Sequence, residues 1–198
     1  MPSLAKAWGT SPAERAEPYP CDRLLDPPYE SAHRGIDVAA PTPVLYRRLC
    51  QLRIAPYSYD LLDNLGRRSP RELTPGLDRL EIGQRFMTVF ELAEFERDRH
   101  LTLILTRMSR VFGDVAVTYR VRPLAESRSR LLVKLVYRPP GPPQEGAGGA
   151  RQLGLVSRVY EFALPWGDLV MMRKQLRTLA ALAERDAVSG SASSSATG

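Results

Sequence analysis

Between residues 80 and 164 the apolar residues of this chain alternate with polar or small ones, and turn residues divide the region into short runs. Residues 115–121 form the clearest run. A period of two is typical of β-strands whose two faces differ in polarity. The charged residues 94–99 mark a reversal between two such strands. The region therefore predicts six or seven antiparallel strands, which excludes most all-helical and parallel α/β folds.

One long amphipathic helix is predicted after the strands. It opens at residues 165–168, where Asp168 can accept hydrogen bonds from backbone N–H groups of the first turn. Its apolar residues recur at spacings of three and four. They are Leu169, Met172, Leu176, Leu179, Ala180 and Ala183. One helix of roughly 20 residues cannot cover both faces of six strands, so the sheet must curl around it and can enclose a pocket.

The part before residue 80 predicts one short strand and two short helices. The strand covers residues 34–40. The first helix follows, with Thr42 as its hydroxyl cap and Pro43 at its first position. The second covers residues 61–66, after an aromatic turn at residues 57–60. The polar side of the first helix is expected to face solvent. It consists of Arg47, Arg48 and Gln51.

Two segments of this sequence resemble a known superfamily. Residues 44–69 combine a leucine-containing helix, a Tyr-Ser-Tyr-Asp turn and an Asn-Leu-Gly run, and residues 166–176 read Trp-Gly-Asp-Leu-Val-Met-Met-Arg-Lys-Gln-Leu. In these features the chain resembles the polyketide cyclase/dehydrase-like branch of the START-like (SRPBCC) superfamily, over roughly residues 30–187. The resemblance implies an α+β helix-grip fold. In that fold a curved antiparallel sheet of six or seven strands wraps around a long C-terminal helix, with two short helices after the first strand and a cavity for an apolar ligand.

The candidate ligand-binding residues are taken from strand parity, from the aromatic turn and from the first turn of the last helix. They are Tyr57, Tyr59, Asp60, Phe86, Phe90, Tyr119, Tyr137, Trp166 and Met172. The tyrosines are the stronger candidates, because a buried phenol needs a hydrogen-bond partner and a pocket can supply one. Plain core packing is the alternative for every candidate, and it is the favoured interpretation for the phenylalanines and the methionine.

No catalytic or metal-binding motif is present in the sequence. It contains no glycine-rich phosphate loop, no Gly-x-Ser-x-Gly elbow and no His-Glu-x-x-His. His33 and His100 are expected at the surface. Cys21 and Cys50 lack metal-ligand spacing and are expected to be free thiols. We therefore expect neither a cofactor nor a metal, and the catalytic residues, if there are any, stay open.

Three functions remain possible at this stage. The first is binding of a hydrophobic small molecule, lipid or polyketide-like, in a cavity between the sheet and the C-terminal helix. The second, implied by the resemblance, is a polyketide aromatase/cyclase or dehydratase that uses the same cavity. The third is an interaction protein that uses a basic sheet face.

The charge distribution bears on the third possibility. The formal charge is +6, and residues 100–198 hold 14 basic and 7 acidic groups. Most of these cations are spaced singly along the predicted strands, as on the solvated face of an antiparallel sheet. We therefore expect no nucleic-acid partner and at most weak contact with an anionic surface.

The chain is expected to hold one domain. Residues 1–28 are proline-rich and predict a flexible lead segment, although Leu24, Leu25 and Tyr29 can pack back onto the domain. Residues 29–188 form the domain, with a mobile loop at 139–154, and residues 189–198 predict a disordered tail. No apolar run of about 18 residues is present, so a soluble cytoplasmic protein is expected.

Overall fold

The computed structural model describes residues 6–57, 69–138 and 169–189. Seven strands in these segments form one sheet in the order β1-β2-β7-β6-β5-β4-β3. Their bounds are β1 Ala7–Trp8, β2 Glu30–Val38, β3 Arg85–Phe86, β4 Phe90–Glu96, β5 His100–Leu105, β6 Asp114–Ala125 and β7 Arg128–Arg138. The pairing of β1 with β2 is parallel and the other pairings are antiparallel.

Helices complete the fold. They are α1 (Pro12–Ala16), α2 (Thr42–Cys50), α3 (Ser109–Phe112) and α4 (residues 169–189), together with 3₁₀ turns at Pro20–Arg23 and Gln51–Arg53. The sheet curves around α4, and α2 with its 3₁₀ turn follows β2. The predicted helix-grip architecture is therefore confirmed. The second helix expected at 61–66, the opening of α4 at Asp168 and the loop 139–154 lie outside the described residues.

The concave face of the sheet carries the main hydrophobic core. Strand parity places every second side chain of each central strand on this face, most of them apolar, and α4 packs its predicted stripe against them. Leu176, Leu179 and Ala183 of α4 are fully buried, and Met172 is partly buried. Each buried leucine contributes about 1.5–3 kcal/mol. The core therefore fixes α4 along the inside of the curved sheet.

The start and the polar side of α2 differ from the prediction. The helix begins at Thr42, its cap is Pro41, and no side chain caps it. Arg48 and Gln51, expected in solvent, are buried. Arg48 donates to the carboxylate of Asp186 in α4 through Nε at 2.6 Å and Nη2 at 2.7 Å. These side chains bridge to other segments of the chain, and helical periodicity cannot register such long-range partners.

Residues 6–28, named here the N-terminal strap, lie across the convex face of the sheet. We expected a flexible lead, but β1, α1 and a 3₁₀ turn give this segment regular structure. Its side chains Tyr19, Cys21 and Leu25 are buried in a second apolar cluster with sheet residues. Leu24 and Tyr29 pack against that cluster, so the expectation that apolar side chains pack back is confirmed. The proline-rich segment is therefore an ordered covering layer of short elements and not a flexible lead.

The strap also neutralises the convex face. Its carboxylates form three sets of ion pairs with cations that we expected to be solvated. Glu14 accepts from Arg130 at 2.9 Å, Asp22 contacts Lys134 at 2.6 Å, and Glu17 contacts Arg120 at 3.0 Å and Arg122 as well. The expectation of a solvated basic face is therefore wrong at Arg120, Arg130 and Lys134, since a covering layer of opposite charge could not be inferred from the strands alone. It holds at Arg128 and Arg138, whose side chains are 57% and 43% exposed.

Gly9 follows β1 and lies against Gly35 of β2. Its φ is +68°, in the left-handed region that favours glycine. A Cβ added there would collide with the carbonyl oxygen of Gly35. The turn after β1 therefore requires glycine at this position.

Candidate functional site

A groove of about 600 Å³ runs beside α4. This volume lies within the range of roughly 300–1,000 Å³ that is usual for small-molecule sites. Its described lining residues are Tyr57, Ser69, Pro70, Arg71, Lys174, Arg177, Thr178, Ala181, Leu182 and Arg185. Tyr57 and Leu182 belong to the main core, whereas the cationic side chains lie in the exposed part. The groove therefore combines an apolar floor with basic walls.

A buried hydrogen-bonded cluster lies directly behind Tyr57. The Tyr119 hydroxyl donates to Oε1 of Gln175 at 2.8 Å, and Nε2 of Gln175 donates to the Pro56 carbonyl oxygen at 2.6 Å. The sulfur atoms of two methionines complete this environment. Met87 Sδ lies 3.5 Å from Gln175 Nε2, and Met172 Sδ lies 3.8 Å from the Tyr119 hydroxyl oxygen. The cluster links β6, α4 and the chain that enters the groove.

The backbone next to this cluster is strained. Tyr57, Met87 and Thr88 have φ values of 55°, 44° and 69°. A non-glycine residue with positive φ is uncommon, and for a β-branched residue such as Thr88 it is an outlier. Strain of this kind costs about 1–3 kcal/mol per residue and tends to concentrate at functional sites. Met87 contacts Gln175, and Tyr57 directly follows Pro56, whose carbonyl binds Gln175, which favours this end of α4 as the site.

Arg34 is a buried cation that sequence reasoning missed. Its register partner on β7 is Val133, which is also the register partner of Tyr119 on β6. The three residues therefore form one row on the concave face, with Arg34 and Tyr119 two strand spacings, or roughly 10 Å, apart. Arg34 is 1% exposed, and its Nη1 donates to the His33 carbonyl oxygen at 3.0 Å. The sequence signal that could have found Arg34 is its position two residues before Ile36, which puts both side chains on the same face of the strand.

The structure brings some of the predicted residues together and separates others. Tyr57 lines the groove, and Tyr119 and Met172 belong to the cluster behind it. Phe86 is fully buried in the main core. Tyr137 is buried in a smaller cluster of the concave face, and the half-buried Phe90 packs against both clusters. The remaining candidates lie outside the described residues. They are Tyr59, Asp60 and Trp166.

The two histidines lie away from the groove. His33, expected at the surface, is buried on the convex face, with its ring centroid 6.2 Å from that of Tyr19. Burial and the nearby Lys134 cation lower the pKa of His33 to about 4. Burial also lowers the pKa of the half-buried His100, against the opposing effect of Glu94 at 3.4 Å. The strap explains the error at His33, because it covers a strand face that parity alone leaves exposed.

The cysteines are free and buried. Burial raises the pKa of Cys21 to about 11 and that of Cys50 to about 12. Since the thiolate is the reactive form, neither thiol is suited to nucleophilic catalysis. Across the described segments no group of His, Cys, Asp or Glu side chains could hold a metal ion, and no helix is long and apolar enough to cross a membrane.

Comparison with known proteins adds structural similarities. No family model and no curated protein matches the sequence. The di-domain ARO/CYC StfQ from the steffimycin biosynthetic pathway aligns with 80% of this chain and 52% of its own length, at 12% identity and a TM-score of 0.45. The di-domain ARO/CYC BexL aligns with 78% of this chain and 46% of its own length, at 16% identity and a TM-score of 0.43.

A single-domain-sized structure is similar to a comparable degree. The Zhui aromatase/cyclase from a Streptomyces species aligns with 78% of this chain and 98% of its own length, at 13% identity and a TM-score of 0.38. This chain spans about half the length of the two di-domain proteins. At these identities and TM-scores the alignments assign no activity to this chain.

Proposed function

We propose that this protein binds a hydrophobic small molecule, lipid or polyketide-like, between the sheet and α4. The supporting observation is the buried hydrogen-bonded pair of Tyr119 and Gln175 behind Tyr57, together with the buried Arg34, which lies on the same row of the concave face as Tyr119. A guanidinium and an amide are expensive to bury, and such groups in a concave apolar site commonly fix the orientation of a ligand.

The ligand enters, in this proposal, beside Tyr57. Tyr57 and Leu182 connect the groove to the core, and the Pro56 carbonyl ties the same segment to Gln175. The apolar part of the ligand contacts the concave face, while a carbonyl or hydroxyl group exchanges hydrogen bonds with Tyr119 or Arg34. Affinity then comes mainly from apolar burial, at about 25 cal/mol per Å².

Two measurements test the proposal. Native mass spectrometry of the protein purified from cells should show a retained apolar molecule, and titration with the neutral dye Nile red should give saturable binding in the micromolar range. A protein that carries no ligand and does not bind the dye would refute the proposal.

A conservative substitution locates the site. Tyr119→Phe removes the hydroxyl that this proposal pairs with a polar group of the ligand, a hydrogen bond of about 1 kcal/mol, and should weaken dye binding about fivefold. The matched control is Tyr46→Phe, since Tyr46 is a buried tyrosine of α2 whose hydroxyl has no partner among the described residues. Equal effects of the two substitutions on dye binding would exclude the cluster as the site.

The same groups support a second candidate, a polyketide aromatase/cyclase or dehydratase. A phenol and a guanidinium on one row can polarise the carbonyl groups of a folded poly-ketone chain, which stabilises enolate-like charge. Turnover of a short poly-ketone mimic that is lost in Tyr119→Phe while binding of the mimic persists would favour this candidate. Binding without turnover in the unsubstituted protein would favour a carrier.

A further inference from the structure

The charge balance of the two surfaces is unequal. On the convex face the strap supplies carboxylates to the sheet cations, as described above. Along the groove, by contrast, Arg71, Lys174 and Arg177 have no carboxylate partner among the described residues. The acidic groups close by are already engaged: Glu72 contacts Arg185 at 3.1 Å, and Asp186 binds Arg48. The groove therefore carries positive charge that no carboxylate of the described residues pairs with.

The geometry of α4 concentrates this charge. Lys174, Arg177 and Arg185 are exposed and recur at spacings of three and eight residues, so they lie on one side of the helix. At a rise of 1.5 Å per residue, the row from 174 to 185 spans roughly 16 Å. Arg71 also lines the groove, and its carbonyl oxygen accepts a hydrogen bond from Arg185 Nη2 at 2.7 Å. A groove with a low-dielectric floor and basic walls strengthens attraction for an anion.

Arg177 is also held in place from outside the groove. The guanidinium carbons of Arg177 and Arg173 lie 5.9 Å and 5.4 Å from the ring centroid of Trp8 in β1. Stacking of this kind limits the rotamers of a long side chain, which lowers the entropy cost of ordering it around a ligand. The ring lies on the edge strand of the sheet, so β1 contributes to the position of a groove residue.

We propose that the groove binds the anionic end, a phosphate or carboxylate, of an amphipathic ligand whose apolar part contacts Tyr57 and Leu182. This inference rests on the proposed function and narrows it to a class of ligand. Lys174 and Arg177 hold the anion, with Arg71 in the same groove lining. A neutral molecule of equal chain length should bind more weakly, because it gains only the apolar contacts.

The test compares dodecyl phosphate with dodecanol by isothermal titration calorimetry below micellar concentrations. Dodecyl phosphate should bind at least tenfold more tightly, and the preference should shrink as salt is raised. The double variant Lys174→Gln/Arg177→Gln should lose the preference and keep its affinity for dodecanol. The matched control is Arg47→Gln/Arg107→Gln, which removes the same charge from exposed positions outside the groove and should keep the preference.

The outcomes separate the two proposals. Equal binding of both compounds, or a preference that survives in the groove variant, overturns the anion site and leaves the proposed function standing. If neither compound binds, titration with inorganic pyrophosphate decides between two outcomes. Pyrophosphate binding that is lost in the Lys174→Gln/Arg177→Gln variant retains the anion site without the apolar cavity. Absence of pyrophosphate binding overturns the anion site and the proposed function. Binding to vesicles of anionic lipid without binding of monomeric dodecyl phosphate would assign the groove to a membrane surface and overturn the small-molecule site.

Discussion

The ion pair between Arg48 and Asp186 should account for a large part of the stability of this fold. Arg48 is fully buried, and the side chain of Asp186 is 16% exposed. Asp186→Asn keeps the shape of the side chain and removes its charge, so a guanidinium stays buried without a counter-ion. Removal of one partner from a buried pair costs about 3–5 kcal/mol. The partial exposure of Asp186 places the expected loss near the lower limit, at about 3 kcal/mol.

Urea denaturation monitored by circular dichroism measures this loss. Thermal unfolding gives a second measurement. For a chain of this size each kcal/mol of lost stability lowers the melting temperature by about 2–4 °C, so it should fall by roughly 6–12 °C. The matched control is Glu72→Gln, which breaks an 87% exposed partner of Arg185 and should cost less than about 1 kcal/mol.

A double variant completes the test. Arg48→Met/Asp186→Leu replaces the pair by apolar side chains and should recover most of the stability that either single variant loses, because neither charge remains buried. A loss below about 1 kcal/mol for Asp186→Asn would show that the pair behaves like a surface ion pair. The reasoning that α2 is fastened to α4 through this contact would then be refuted.

Three further predictions concern the strap and the thiols. Because the pKa of His33 is about 4 in the folded protein, below its ordinary 6.5, the unfolded state takes up the proton first, so stability should fall as pH drops from about 6.5 to about 4; thermal unfolding of His33→Leu should show less of this fall. Arg130 lowers the pKa of Glu14 to about 2 from an ordinary 4.5, so its stabilising contribution is present above pH 4.5 and disappears towards pH 2; Glu14→Gln should show a lower melting temperature at pH 7 and a smaller difference from the unsubstituted protein at pH 2. Cys21 and Cys50 should not react with Ellman's reagent at pH 8 in the native protein, and both should react in urea; fast reaction of either native thiol would contradict the burial described here.

Local patterns in the sequence predicted the fold well. The alternation at residues 115–121 and the stripe of α4 placed Tyr119 and Leu176 on the inside, and both are buried there. Periodicity works at these positions because one face of each element packs against the core. The same rule assigned the other face of β6 and β7 to solvent, where Leu132 and Val136 are buried under the strap. A layer contributed by a distant segment leaves no periodic signal in the strand that it covers.

The candidate site was predicted in part. The reasoning that a buried tyrosine needs a partner led to Tyr119, and the aromatic turn led to Tyr57. Gln175 and Arg34 were missed, because a single polar residue inside an apolar pattern looks like an interruption until the partner that satisfies it is known. The groove could not be inferred, since its walls come from segments about 100 residues apart, at 69–71 and 174–185.

The strap has a practical consequence for protein engineering. A shortened chain that begins at residue 29 would keep every strand except β1, and its formal charge would change by only one unit, since residues 1–28 hold 3 basic and 4 acidic groups. Locally the change would be large, because Arg120 and Lys134 would lose their counter-ions, Arg130 would keep only Asp37, and the apolar patch around Ala116 would be exposed to solvent. Truncation at that proline-rich boundary should therefore yield a protein that aggregates and binds polyanions. Its retention on heparin would result from the truncation and not from a function of the full chain.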